Sequence, residues 1–102
     1  MRLLVCGGRD YADRAFVTEC LDKAHAKRPI TMLLHTGKPG AERLAATWAW
    51  ERGIRDKALE PDAMMAEGKP DGVAAFPGDT AHMVGLAIDA GLPVWYPVRK
   101  GS

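Results

Sequence analysis

Residues 3–11, Leu3-Leu4-Val5-Cys6-Gly7-Gly8-Arg9-Asp10-Tyr11, decide the fold. Four apolar residues closed by two glycines form a short run, and the glycine stop favours a buried strand entering a tight loop. The run lacks period-two alternation, as strands do when both faces are covered. Beyond it, Ala15, Phe16, Cys20, Leu21 and Ala24 recur at helical spacing, with Asp10 or Asp13 as N-cap and Pro29 as the stop.

The same unit then repeats. A strand over about residues 30–34, reaching His35, runs into Thr36-Gly37-Lys38-Pro39-Gly40, and a helix follows from Ala41 to about Arg52, ended by Gly53. A third strand over 73–76 runs into Pro77-Gly78-Asp79-Thr80 and a helix from Ala81 to about Ala90, before a last strand over 92–96. Residues 54–68 are less regular. They read as a very short strand near Ile54, a turn over 56–59, and a short helix over 62–67 behind Pro61. Strands alternating with helices predict an α/β domain, a Rossmann-like three-layer sandwich around a small, mainly parallel sheet of four or five strands. Residues 1–98 are expected to form one domain, and 99–102 a frayed polar tail.

Composition narrows the function. The chain has 102 residues, 47% hydrophobic and 26% charged, which fits one globular core and not disorder. Fourteen basic against thirteen acidic residues give a net charge of +1, so nucleic acid is not the expected partner. DNA binding would need Arg2, Arg9, Lys38 and Arg99 in one patch. Cys6 and Cys20 have no C-x-x-C spacing, and the three histidines form no H-x-x-x-H pair, so no metal site is expected. No stretch approaches 18 apolar residues, and a cytoplasmic protein is the expectation.

Ligands of open parallel sheets bind beyond the carboxyl ends of the strands. Three glycine-bearing loops fall there, and they supply the candidate ligand-binding residues: Gly7, Gly8, Arg9 and Asp10; His35, Gly37, Lys38, Gly40 and Glu42; Pro77, Gly78, Asp79 and Thr80. Glycines let the backbone approach an anion, and each following helix aims free amides at it. Glu42 and Asp79 also suit plain helix capping, and His35 a structural bond to backbone. His82, in a first helical turn, is expected neutral. No G-x-G-x-x-G and no G-x-x-x-x-G-K-[ST] occurs, which argues against a conventional NAD dehydrogenase or ATPase. Trp48 shares a helical face with Leu44 and reads as core. Trp50, two positions on, points away and reads as a subunit interface. Met64, Met65 and Met83 read as packing residues.

Val5 through Tyr11, His35 through Ala45, Trp48, and Pro70-Asp71 through Ala75-Phe76-Pro77-Gly78 resemble the small YspA/YpsA-related domains of the SLOG superfamily. The resemblance spans about residues 2–96. More distant kin are DNA-processing protein A and the LOG phosphoribohydrolases. It implies a Rossmann-like domain that binds a nucleotide or nucleotide derivative, with no required cofactor. The phosphate would lie over Gly7-Gly8 and 78–80, with Arg9 neutralising it, Glu42 or Asp10 on ribose hydroxyls, and His35 bordering base or sugar. The family's H-G-x-x-x-G-A-D segment is here His35 to Glu42, with Thr36 for the first glycine. Its P-G-G-x-G-T loop is shortened to Pro77-Gly78-Asp79-Thr80. Where the LOG enzymes carry a glutamate, this chain has Met83, so the resemblance implies binding without that hydrolysis. Two alternatives stand beside it: a degenerate domain acting as a homo-oligomer, most simply a dimer through Trp50, and a nucleoside 5′-monophosphate N-glycosidase.

Overall fold

The computed structural model describes residues 1–99. In chain order it contains β1 (Arg2–Cys6), α1 (Arg14–Lys27), β2 (Met32–His35), α2 (Ala41–Glu51), β3 (Arg55–Ala58), α3 (Pro61–Ala63), a π-helical turn (Met64–Gly68), β4 (Gly72–Ala75), α4 (Ala81–Asp89) and β5 (Val94–Trp95). The five strands form one sheet in the order β3-β2-β1-β4-β5, every neighbour pair parallel. The sheet and its flanking helices make the Rossmann-like three-layer sandwich.

Alternation along β1 divides the core in two. Leu3 and Val5 face α1 and α2, where they pack with Phe16, Val17, Leu21, Leu33, Ala45, Trp48 and Ala74. Leu4 and Cys6 face the other way, with Leu34, Met64, Val73, Ala75, Met83, Val84 and Ala87. Burial on both faces accounts for strands that are apolar throughout. Trp48 is 1% exposed and donates from Nε1 to Asp22 Oδ1 at 2.9 Å, which ties α2 to α1. Trp50 is 79% exposed.

One expectation is corrected. Residues 56–59 are not a turn: Arg55–Ala58 form edge strand β3, in register with Met32–His35. All four β3 residues are exposed, and the charges of Arg55, Asp56 and Lys57 guard the open edge against further pairing. Arg99, the first residue of the expected tail, lies against α1. Its guanidinium donates to both Asp13 oxygens at 2.8 and 2.9 Å and lies 4.9 Å from the Phe16 ring centroid. Asp13 is in turn the N-cap of α1, accepting from the Phe16 amide at 3.1 Å. Lys100, Gly101 and Ser102, the rest of the expected tail, lie outside the described residues.

Candidate functional site

The strand order reverses direction between β1 and β4, the switch point where open α/β sheets bind ligands. The loops after β1, β2 and β4 meet there, backbone against backbone. The Gly8 amide donates to the Pro77 carbonyl at 2.9 Å, and the Ala41 amide to the Gly8 carbonyl at 3.3 Å. A Cβ on Gly40 would strike the Gly8 carbonyl oxygen, and one on Gly78 would strike Gly8 Cα; both glycines hold positive φ, +84° and +132°. These glycines therefore serve loop–loop contact directly, whatever they do for a ligand.

The loop after β2 has its amides engaged. Thr36 donates to Glu42 Oε1 from both N and Oγ1 at 2.7 Å, Gly37 N to His35 Nδ1 at 3.0 Å, and Lys38 N makes a long 3.5 Å contact to Glu42 Oε1. Pro39 has no N–H. That loop is closed around its own side chains and offers few donors to an anion. The loop after β4 has no such side-chain acceptor among the described residues. Thr80, the N-cap of α4, makes no side-chain cap bond, as Gly40 makes none for α2, and the α4 ladder starts only at Val84 N, bonded to the Thr80 carbonyl. The first-turn amides of α4 are left without an intrahelical acceptor.

A cleft of about 100 Å³ opens beside that helix end, lined by Cys6, Gly7, Thr36, Lys38, Glu42, Pro61, Asp79, Thr80, His82 and Met83. Glu42, in the first turn of α2, is 2% exposed. Its Oε1 takes all the contacts above, and among the described residues Oε2 has no hydrogen-bond partner. Among the described residues no side-chain oxygen is both sealed from solvent and unpartnered, so Oε2 keeps access to solvent, and Glu42 lines the cleft. Cys6 forms part of the floor. Burial, reinforced by the Glu42 charge and opposed by Lys38, pushes its thiol up to about 12, so it stays protonated and unreactive.

Of the residues singled out from sequence, Gly7, Lys38, Glu42, Asp79 and Thr80 line this cleft, as does His82. Gly8, Gly37, Gly40, Pro77 and Gly78 build the loops around it without lining it. His35 is 8% exposed and engaged on both ring nitrogens, Nδ1 by Gly37 and Nε2 by Asp56 Oδ2 at 2.9 Å. Arg9 and Asp10 are exposed and, among the described residues, make no side-chain hydrogen bond. Arg2 starts β1, at the opposite end from Arg9, and donates to the Gly68 carbonyl. Sequence reasoning did not place Cys6, Thr36, Pro61 or Met83 in a site. Cys6 and Met83 read as core, which they also are, and the Thr36 hydroxyl beside a retained acid was the one available signal. A larger hollow of about 730 Å³ lies between α1 and residues 95–99 and contains none of the predicted site residues.

Fold and cleft together define a doubly wound Rossmann-like domain with a small polar cleft at its switch point. A family model described as YAcAr, the YspA, cpYpsA-related SLOG family, matches residues 1–64. The chain belongs to that family, a nucleotide-associated fold. No curated protein matches it. Among the described residues no helix is long and apolar enough to cross a membrane.

Proposed function

We propose that this domain, taken as residues 1–98, binds a nucleotide or nucleotide derivative through a phosphate seated at the α4 end of the cleft, and does not hydrolyse it. The observation that carries this is the uncapped N-terminus of α4 opening onto the cleft. Free first-turn amides and the helix dipole both favour an anion there. Lys38 adds a positive charge at the rim, and Glu42 Oε2 is available to accept from a ligand hydroxyl. Two carboxylates in the lining, Glu42 and Asp79, oppose a heavily charged group and favour a single phosphate over a triphosphate. Sites for whole small-molecule ligands usually measure about 300–1,000 Å³. A cleft this small fits the phosphate and a few adjoining atoms, with the remainder of the ligand outside. Met83, buried in the core, stands where hydrolysis would call for a glutamate, which supports binding without turnover.

Native mass spectrometry of the purified chain with AMP and ADP tests this. A one-to-one adduct that disappears in Thr80→Asp is expected, because the new carboxylate would occupy the helix end. No adduct with either nucleotide would sink the reading. A second reading, self-association through the α2 face, draws on the 79% exposure of Trp50. There, Trp50→Lys would reduce the assembly size and leave nucleotide binding unchanged.

A further inference from the structure

We infer that His35 is a positioning residue for Glu42: its Nδ1 holds the loop after β2 in place, while its Nε2 is engaged separately by edge strand β3. The ring stands at the carboxyl end of β2, nine-tenths buried. Nδ1 accepts the Gly37 N–H at 3.0 Å. A ring nitrogen that accepts carries no proton, so the proton of the neutral imidazole sits on Nε2 and is donated to Asp56 Oδ2 at 2.9 Å. Asp56 belongs to β3, whose four residues are all exposed. The ring therefore bridges the sheet's outer edge and the loop after β2.

That loop is what aims Glu42. Three successive amides alternate between two acceptors: Thr36 to Glu42, Gly37 to His35, Lys38 to Glu42. The Gly37 bond holds the middle of the loop, at φ +86°, while Thr36 before it grips Glu42 Oε1 at 2.7 Å and Lys38 after it makes the long 3.5 Å contact. With Oε1 fixed by the loop, the carboxylate can turn only Oε2 toward the cleft. Losing the Nδ1 acceptor frees Gly37 N–H, lets the 36–38 segment rotate, and with it the direction of Oε2. Losing the Nε2 donor releases β3 from the ring but leaves the Gly37 bond in place. The two nitrogens thus have separable consequences, which a purely structural histidine would not show.

Asparagine and glutamine separate them. The Asn side-chain oxygen falls near the position of Nδ1, and the Gln amide nitrogen near that of Nε2. His35→Asn keeps an acceptor for Gly37 and drops the Asp56 contact. His35→Gln keeps a donor to Asp56 and leaves Gly37 unpaired. The experiment follows the Gly37 amide by ¹H–¹⁵N NMR in both variants and in Asp56→Ala, and measures AMP affinity by calorimetry on the same samples. The expected result is a displaced Gly37 amide and affinity weakened about tenfold in His35→Gln, the size of one lost buried acceptor. His35→Asn and Asp56→Ala should keep the Gly37 position, with affinity within about twofold of wild type. Equal displacement in His35→Asn and His35→Gln, or affinity that only tracks the urea midpoint, overturns the inference. The affinity arm rests on the proposed nucleotide reading, but the NMR arm does not. A wild-type chain that binds no AMP sinks that reading while the Gly37 pattern still decides this one.

Discussion

The loops after β2 and β4 hold equivalent places in the fold and end in opposite states. Both follow a buried strand, both contain glycine, and both lead into a helix at the same edge of the sheet. In the first, a buried carboxylate and an imidazole take up successive amides. In the second, Thr80 caps nothing and the helix end faces the cleft. The lesson is that a glycine-rich loop at a strand end keeps its amides free only if no nearby side chain closes it first.

The most damaging test of that contrast is Gly40→Ala. It combines a positive φ with a Cβ driven onto the Gly8 carbonyl oxygen, so the loops after β1 and β2 must part. A loss of about 3 kcal/mol or more in urea unfolding is expected, as for backbone strain joined to a steric clash. A change near zero would mean the loops do not pack as described. Next comes the closed loop's own acceptor. Glu42→Ala leaves the Thr36 amide and hydroxyl without their partner and should cost about 2–3 kcal/mol. Glu42→Gln keeps one oxygen for the loop and should cost clearly less, while weakening AMP binding through the altered second atom. Equal destabilisation by both would show that the loop does not need an acceptor at that point.

Smaller in stability, but sharper for the comparison, is Thr80→Asp. It gives α4 the kind of cap α1 already has in Asp13. Thermal stability should rise by about 0.5–1 kcal/mol as AMP binding is lost. A stabilised protein that still binds AMP would move the anion site elsewhere. The smallest effect is acidic. Hydrogen bonds from Arg99 to Asp13, from Arg52 to Asp22 and from the Arg2 amide to Asp71 hold all three carboxyls below their ordinary value of 3.8. Folded values below unfolded ones mean a contribution that is present above 3.8 and is lost as pH falls through the depressed values. The melting midpoint should therefore drop on acidification below 3.8, and drop less in Asp22→Asn. An Asp22→Asn protein with the wild-type acid profile would show that the Arg52 pair contributes nothing measurable.

The readable parts of the sequence were those where burial forces a pattern. Leu3-Leu4-Val5-Cys6 and Val73-Ala74-Ala75-Phe76 are apolar because helices cover both faces, and Gly53 and Gly91 end helices at φ +69° and +78°. Strand β3 carried no such mark. Arg55-Asp56-Lys57-Ala58 is held by backbone pairing to β2 on one side only, so nothing selects apolar residues there. The helix behind Pro61 was legible over 62–67, but its π-helical form was not, and its Lys69 end takes a left-handed φ of +49° that no glycine announced. At the site, Glu42, Lys38, Asp79 and Thr80 could be found because loops at strand ends have a fixed place in this topology. The closure of one loop and the opening of the other could not. That depends on which oxygen lies within 3 Å of which amide, and side-chain direction is not written in spacing.

The placement of β1 beside β4 has a consequence for the order of folding. Leu3 pairs with Gly72 and Cys6 with Ala75, so the central strand waits for partners nearly seventy positions away. The family match ends at residue 64, before β4 begins. A chain cut at that point would leave one long flank of β1 bare, with Leu4 and Cys6 facing water on the side where Val73 and Ala75 belong. Contacts this distant make assembly slow and the half-built sheet prone to stick to its own kind. The segment the family model matches thus lacks β4, the strand that closes the open flank of β1.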